Sequence, residues 1–460
     1  MFSPDTYKGR RAELKKRLGS GIVVLLGNSY VGMNYHDNEY EFRQDSTFLY
    51  YFGLSHDGLN AVIDVDNDRD IIFGDELTID SIVWTGNLPT LHELAAKAGV
   101  SDVRPSAEMK SYLDKARATA TPVHHIPYYR AEHDFQLMQL LDIRPGGAVP
   151  SLPLIKAVID MRSHKTAEEI AEIEKACAVT AEMHKAAIRA ARPGVTEYQM
   201  KAIVEGVATS HGMRCSFPTI ATVHGEILHN HSYNNVLEEG KLFLLDAGAE
   251  TAMGYAGDMS STCPVGMRYS EQQKAIYDLQ QAASRAAVEM LRPGVPFLDV
   301  HMQASLTIAA GLKDLGIMKG DIEEAVNAGA HAMFFPTGLG HMMGLDVHDM
   351  ENFGEVWVGY DGKPKSTVFG FKSLRLARPL EEGFVFTIEP GIYFMPELTG
   401  LWKSEGRHKE FINFDEVEKW LGFGGVRNEE DYLVTANGHR RLGPGIPMTT
   451  DAVEALKTEA

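Results

Sequence analysis

Three cysteines in 460 residues, Cys177, Cys215 and Cys263, offer no short-range pair for a disulfide framework or a thiolate zinc site. A reducing compartment is the expected home, and we read the protein as cytoplasmic. Long apolar runs are missing as well. No stretch reaches the ~18 apolar residues that a membrane-spanning helix requires, so no membrane partner is expected. The N-terminus, Met1-Phe2-Ser3-Pro4, runs into charged Lys8 to Arg17 without the apolar core of a signal peptide. Positive charge is in deficit: 44 Lys and Arg against 63 Asp and Glu leave a net charge of −19. That balance argues against nucleic acid as a partner and suits a protein that gathers divalent cations. Glycine and proline, at 43 and 20, stay below low-complexity levels, and 44% apolar residues is ordinary for a globular chain. The length allows two or three domains.

The first part of the chain mixes helix and strand signals. Tyr7 to Leu18 reads as a basic amphipathic helix and Gly21 to Gly27 as a buried strand. Phe48 to Gly53 and Leu59 to Val65 read as two further strands, followed by a turn over Asp64-Val65-Asp66-Asn67-Asp68. That acidic cluster lacks the bidentate Glu that closes a calcium loop, so it is a polar turn. Pro145-Gly146-Gly147 and Pro150 to Pro153 break the pattern, and Thr166 with Glu169 forms a capping box opening a helix that runs to Arg192. The domain boundary falls between 155 and 165, dividing 1–160 from 161–460.

The second part carries an internal repeat. Arg192-Pro193-Gly194-Val195 separates two helices, and Arg292-Pro293-Gly294-Val295 does the same further on. Leu237-Glu238-Glu239-Gly240 leads into a strand ending in Asp246-Ala247-Gly248, and Leu380-Glu381-Glu382-Gly383 leads into one ending in Glu389-Pro390-Gly391. Two such matches in the same order point to related halves, each placing a carboxylate at an equivalent strand end. Two related strands facing each other across a pseudo-twofold axis would cradle metal ions.

Five segments carry the candidate chemistry: Leu245-Asp246-Ala247-Gly248, Tyr255-Ala256-Gly257-Asp258-Met259, Gly338-Leu339-Gly340-His341, Thr387-Ile388-Glu389-Pro390-Gly391 and Gly425-Val426-Arg427-Asn428-Glu429. Taken singly, each acid is an ordinary turn cap and the histidine an ordinary polar residue. Together, two Asp, two Glu and one His in glycine-marked strand contexts suit manganese, cobalt, iron or zinc. Four carboxylates can hold two such ions about 3.5–4 Å apart, which share a water and lower its pKa. A dinuclear hydrolase is the expected class. The glycine-rich Gly338 to Gly344 has neither Gly-Lys-Ser/Thr nor an acidic ribose partner, which removes a nucleotide reading. Asn230-His231-Ser232 is a formal glycosylation sequon that means little without a secretory signal.

These motifs, with Phe42-Arg43-Gln44-Asp45-Ser46-Thr47-Phe48 near the N-terminus, resemble the metal-dependent Xaa-Pro peptidases, the aminopeptidase P and prolidase group. The resemblance covers nearly the whole chain. It implies an α/β (α+β) protein: an N-terminal aminopeptidase P-type domain over 1–160 and a duplicated pita-bread catalytic domain over 161–460. It implies Asp246, Asp258, His341, Glu389 and Glu429 as ligands of two divalent ions, Mn²⁺ first, with Co²⁺, Zn²⁺ or Fe²⁺ as alternatives. A bridging hydroxide would be the nucleophile, with Glu389 moving its proton and His348 and His229 stabilising the intermediate. Arg427 would orient the carboxylates that hold the metal. Arg375, Thr337 and Trp84 match substrate-side positions, Trp84 one that in some members reaches a partner subunit's site; the alternative for Trp84 is an ordinary core residue. A homodimer or higher homo-oligomer acting on proline-containing peptides follows.

Several residues depart from the family's pattern. Thr337 stands where a histidine is usual and Asn428 where a branched apolar residue is usual, which puts the shape of the leaving-group pocket in question. His231 has no counterpart and reads as a loop residue or as one supporting the site from behind its substrate-facing groups. Forty residues separate Glu389 from Glu429, as in prolidases. Expected activity is removal of an N-terminal residue from longer Xaa-Pro peptides. The alternatives are an Xaa-Pro dipeptidase, in which Arg375 would grip the proline carboxylate, and a non-catalytic peptide-binding member of the fold.

Overall fold

A computed structural model describes residues 1–144 and 146–459. The chain divides into two compact units: Met1–Arg162 with Glu351–Gly354, and Ser163–Met350 with Glu355–Ala460. Pro145, part of the expected break, lies outside the described residues.

In the first unit, five strands form one sheet in the order β4-β3-β2-β1-β5: β1 (Ile22–Leu26), β2 (Asn60–Asp64), β3 (Arg69–Phe73), β4 (Asp102–Arg104) and β5 (Val123–His125). Both β1 and β2 are buried along their whole length, as expected of strands covered on two faces. Ile22, Val24 and Leu26 share a face by the period of two and pack with Met109, Leu113 and Leu137 of the helices Glu108–Ala118 and Ala131–Leu141. The Asp64–Asp68 segment is the polar turn between β2 and β3: Asp64 accepts from Asn67 N–H and Asp66 from Gly21 N–H. The basic N-terminal helix, Pro4–Leu18, turns part of its charge inward. Arg11 is buried, pairing with Asp70 at 2.7 Å and donating to the carbonyls of Tyr51 and Ala98.

Phe48 to Gly53 corrects the sequence expectation. It is not a strand but the end of a helix, Ser46–Phe52. The aromatic run Phe48-Leu49-Tyr50-Tyr51-Phe52 has strand propensity, yet both ends are capped as a helix. Asp45 accepts from Phe48 N–H, and Gly53 closes the helix in the left-handed region. Gln44 holds the cap in place: its Oε1 accepts from Asn28 N–H and Asp45 N–H, and its Nε2 donates to the His56 carbonyl.

The second unit repeats one pattern twice. Helices Ala167–Ala190 and Glu197–Ser210 flank Arg192-Pro193-Gly194-Val195; helices Glu271–Val288 and Phe297–Asp314 flank Arg292-Pro293-Gly294-Val295. Capping boxes Thr166/Glu169, Thr196/Gln199 and Ser270/Gln273 start three of the four. The first helix stops at Ala190, two residues short of the expected Arg192, ahead of Pro193. Each turn then makes the same backbone contacts: Gly194 N–H to the Leu237 carbonyl and Leu237 N–H to Val195, Gly294 N–H to Leu380 and Leu380 N–H to Val295. The repeat seen in the sequence is thus one supersecondary unit built twice.

Ten strands follow in this unit: β6 (Arg214–Cys215), β7 (Ile220–Thr222), β8 (Leu242–Ala247), β9 (Ala249–Glu250), β10 (Met259–Pro264), β11 (Val385–Ile388), β12 (Gly391–Tyr393), β13 (Gly425–Arg427), β14 (Glu430–Thr435) and β15 (Gly438–Arg441). They pair as β10-β8-β7, β11-β14-β15, β12-β13 and β6-β9. Asn230 is buried, its amide donating to Thr222 Oγ1 at 2.8 Å, so the sequon is not an accessible acceptor. All three cysteines are free. Among the described residues no helix is long and apolar enough to cross a membrane.

A buried ion pair fastens the loop after His341. Lys165 Nζ meets Asp349 Oδ2 at 2.8 Å, with side chains 1% and 0% exposed. Removing one partner leaves the other charge in a dry interior, whereas removing both does not. Asp349→Ala is expected to lower stability by about 3–5 kcal/mol. Lys165→Met combined with Asp349→Leu is expected to recover most of that loss, as read by urea unfolding.

Candidate metal centre

The acids come together because each half ends a strand pair at the same place. Asp246 lies near the end of β8, opposite Ser260 of β10, and Asp258 immediately precedes β10. Glu389 immediately follows β11 and Glu429 immediately precedes β14, which pair with Ile388 opposite Glu430. The bridge between Ser260 and Glu429 joins the two halves. Close backbone approach makes this possible: a Cβ on Gly248 would lie 1.9 Å from the Gly257 carbonyl oxygen, and one on Gly340 would lie 2.0 Å from that of Thr387.

His341 is held between the strands. Its N–H donates to Thr387 Oγ1 at 3.2 Å and its carbonyl accepts from Thr387 N–H. Its Nδ1 donates to the Met342 carbonyl at 3.1 Å, so the unprotonated Nε2 is left facing Asp258 at 3.4 Å and Glu389 at 3.6 Å. Ligand atoms of Asp258, His341 and Glu429 all lie within 4.8 Å of one another, and all three residues are buried. Asp246 and Glu389 line the same cavity of about 520 Å³.

Arg427 runs through the cluster. Its guanidinium meets Asp246 Oδ2 at 2.6 Å, donates to Tyr393 Oη at 2.9 Å, and donates through Nε to Ser260 Oγ, which in turn donates to Glu429 Oε2 at 2.7 Å. The Asp258 N–H donates to Asp431 Oδ2, an oxygen that also accepts from the buried Cys177 thiol.

Burial, then the other acids, pushes Asp258 and Glu429 well above the usual carboxylate range. Burial raises Glu389 from 4.5 to about 7, against the pull of His341 and Arg427. The buried Asp258 Oδ1 has no hydrogen-bond partner. Packed acids with an unsatisfied inward oxygen and an imidazole nitrogen form a donor set that divalent cations satisfy and protons satisfy poorly. The residues fit a metal.

The other expected residues separate into groups. His348 packs on His341, ring centroids 4.1 Å apart; that neighbour and burial hold its imidazole far below its ordinary pKa, hence neutral. His229 lines the cavity from an exposed position, its pKa lowered by desolvation and then by Arg427. Thr337 lines the cavity too, and its Oγ1 is buried without a hydrogen-bond partner. Arg375 is half-buried in the cavity wall and meets Glu355 at 3.2 Å, so it is not the solvated surface residue its basic segment suggests. Trp84 belongs to the first compact unit and is 88% exposed, which overturns the alternative of a core tryptophan.

One reading gains detail and one changes. His231 is a loop residue, as expected, and it also lines the cavity. Asn428 does not shape the pocket: it is buried, its amide donates to Gln280 Oε1 at 2.7 Å, and its Oδ1 accepts from Thr262 N–H. Sequence reasoning missed Ser260, Thr387 and Tyr393. A signal for the first two existed, since each lies two residues from an acid, on the same face by the strand period.

The chain matches the model of metallopeptidase family M24 over residues 171–436, and it belongs to that family. Residues 7–124 match the aminopeptidase P N-terminal domain. It is therefore a metallopeptidase, with an N-terminal domain of aminopeptidase P type and a pita-bread domain. A human Xaa-Pro dipeptidase is 30% identical over 447 residues, covering 94% of this chain and 88% of its own. An Xaa-Pro aminopeptidase from Escherichia coli is 28% identical over 474 residues, covering 100% and 99%. The structure of zinc-substituted E. coli aminopeptidase P in complex with product superposes with a TM-score of 0.81 at 27% identity, covering 99% of this chain and 98% of that one.

With Glu389 at about 7 and Asp258 and Glu429 held well above the usual carboxylate range, the metal-free cluster holds protons that a cation must displace. Metal binding is expected to release protons, and affinity to fall as pH drops below about 7. Calorimetric titration of stripped protein in buffers of different ionisation enthalpy reads the proton count directly.

Proposed function

We propose that the protein is a dinuclear Xaa-Pro aminopeptidase that removes the N-terminal residue preceding proline. The convergence of Asp246, Asp258, His341, Glu389 and Glu429 on one cavity wall carries this reading. These five would hold two divalent ions, Mn²⁺ first by donor type. When bound, the ions supply Lewis acidity: a lowered water pKa and a polarised carbonyl.

The remaining chemistry falls to side chains. The scissile bond is a tertiary amide, because proline has no N–H, and its nitrogen must gain a proton before it leaves. Glu389, a carboxylate in the cavity lining, takes a proton from the attacking water and delivers it to that nitrogen. Neutral His348 keeps one N–H to donate to the tetrahedral oxyanion, with His229 contributing from the cavity mouth. Arg427 keeps Asp246 and, through Ser260, Glu429 turned inward. Residues 1–160 and 161–460 act as the two functional domains, in a cytoplasmic homo-oligomer in which Trp84 serves a partner's substrate site.

Cleavage of dipeptides is the second reading, favoured by Arg375 in the cavity wall. Glu355 already offsets that guanidinium, which supports longer substrates instead. Thr337 leaves room on the same side. Hydrolysis of Ala-Pro-Ala and Ala-Pro after stripping and re-adding Mn²⁺, Co²⁺ or Zn²⁺ tests both readings: the tripeptide should be the better substrate and Arg375→Ala should leave it so. A parent enzyme confined to Ala-Pro, losing it selectively in Arg375→Ala, makes the protein a dipeptidase.

His348→Ala is expected to keep its metal and KM while kcat falls about 10²–10³-fold, the size of one oxyanion hydrogen bond. Metal analysis alongside steady-state kinetics checks it.

A further inference from the structure

The strand pair that carries Glu389 and Glu429 has a hole in it. Residues Val385 to Ile388 pair with Leu433 to Glu430, and Gly391 to Tyr393 pair with Arg427 to Gly425, in one continuous register. Between the two ladders, Glu389 stands opposite Glu429 and Pro390 opposite Asn428, and neither pair is laddered. Proline has no N–H to give, so the ladder cannot close there. Carbonyls left in such a gap, in a dry interior, need donors from elsewhere.

One side chain supplies them. Gln280, fully buried on the helix Glu271–Val288, donates through Nε2 to the Pro390 carbonyl at 2.7 Å and to the Asn428 carbonyl at 3.1 Å. These are the residue after Glu389 and the residue before Glu429. Gln280 Oε1 accepts from Asn428 Nδ2 at 2.7 Å and from Gln281 Nε2 at 2.9 Å. Asn428 Oδ1 accepts from Thr262 N–H, and Thr262 Oγ1 donates to the Arg427 carbonyl. The amide groups of Gln280 and Asn428 thus satisfy each other and brace both sides of the gap.

We propose that Gln280 is a positioning residue of the metal centre: its amide, partnered by Asn428, replaces the missing ladder bonds and sets the separation of the Glu389 and Glu429 carboxylates. The inference rests on the metal-centre reading above. It also accounts for the buried Asn428, which is not among the residues lining the cavity: its polar side chain is the second half of the brace.

Gln280→Met keeps length and volume and removes the donor. In metal-stripped protein, calorimetric titration with Mn²⁺ should show affinity reduced 10–100-fold, the usual effect of losing a group that orients ligands. The visible spectrum of the Co²⁺-loaded form should shift as the coordination geometry relaxes. Gln280→Met with Asn428→Leu removes both amides together, so neither is left facing an apolar partner; it should show the same loss, with circular dichroism and metal-free urea unfolding reading the fold separately. Parent-like Mn²⁺ affinity and an unchanged Co²⁺ spectrum in the double variant would overturn the proposal, because a purely structural brace alters metal-free stability alone. Failure of the parent protein to bind Mn²⁺ would instead overturn the metal-centre reading itself.

Discussion

Acids packed into a dry pocket repel one another, and the rest of the catalytic unit is organised around that repulsion. Asp246, Asp258, Glu389 and Glu429 gather about the Arg427 guanidinium, which touches Asp246 directly and reaches Glu429 only through Ser260. One guanidinium cannot balance four ionised acids, so without a cation the cluster keeps protons, as the raised pKa values of Asp258, Glu389 and Glu429 show. Protons relieve the repulsion at the cost of the carboxylates' charge, whereas a divalent cation relieves it and keeps them ionised. His348 answers to the opposite influence: His341, then burial and Arg375, hold its ring neutral against the pull of Asp246.

Much of this was legible in the sequence because it is local or repeated. The capping box at Thr166 and Glu169, the Arg-Pro-Gly-Val turns and the Leu-Glu-Glu-Gly leaders are short patterns whose geometry the structure reproduces in both halves. Family motifs supplied the acids and histidines, and all five expected ligands line one cavity. What escaped depends on distant partners. The Ser46–Phe52 helix looked like a strand because its caps are held by Gln44, which in turn binds Asn28 and His56. Gln280 is one glutamine in an ordinary helix until its partners, 110 and 148 residues away, are known. Asn428 reads as bearing on the pocket because it departs from the family's pattern; the strand period turns it away from the cavity that Arg427 and Glu429 line.

The two halves also differ in a way that bears on how such enzymes diversify. The closing contact of the first half joins Gly194 to Leu237, 43 residues on; that of the second joins Gly294 to Leu380, 86 residues on. Doubling a closed loop costs only about 0.6 kcal/mol of chain entropy. The longer excursion contains Thr337, His341, His348, Ser373 and Arg375, all of them cavity-lining. Insertion at this point is therefore thermodynamically cheap and lands on the substrate side. A duplicated scaffold of this kind can keep its ancestral frame in one half while the other accumulates length, and with it new selectivity, at almost no expense in folding.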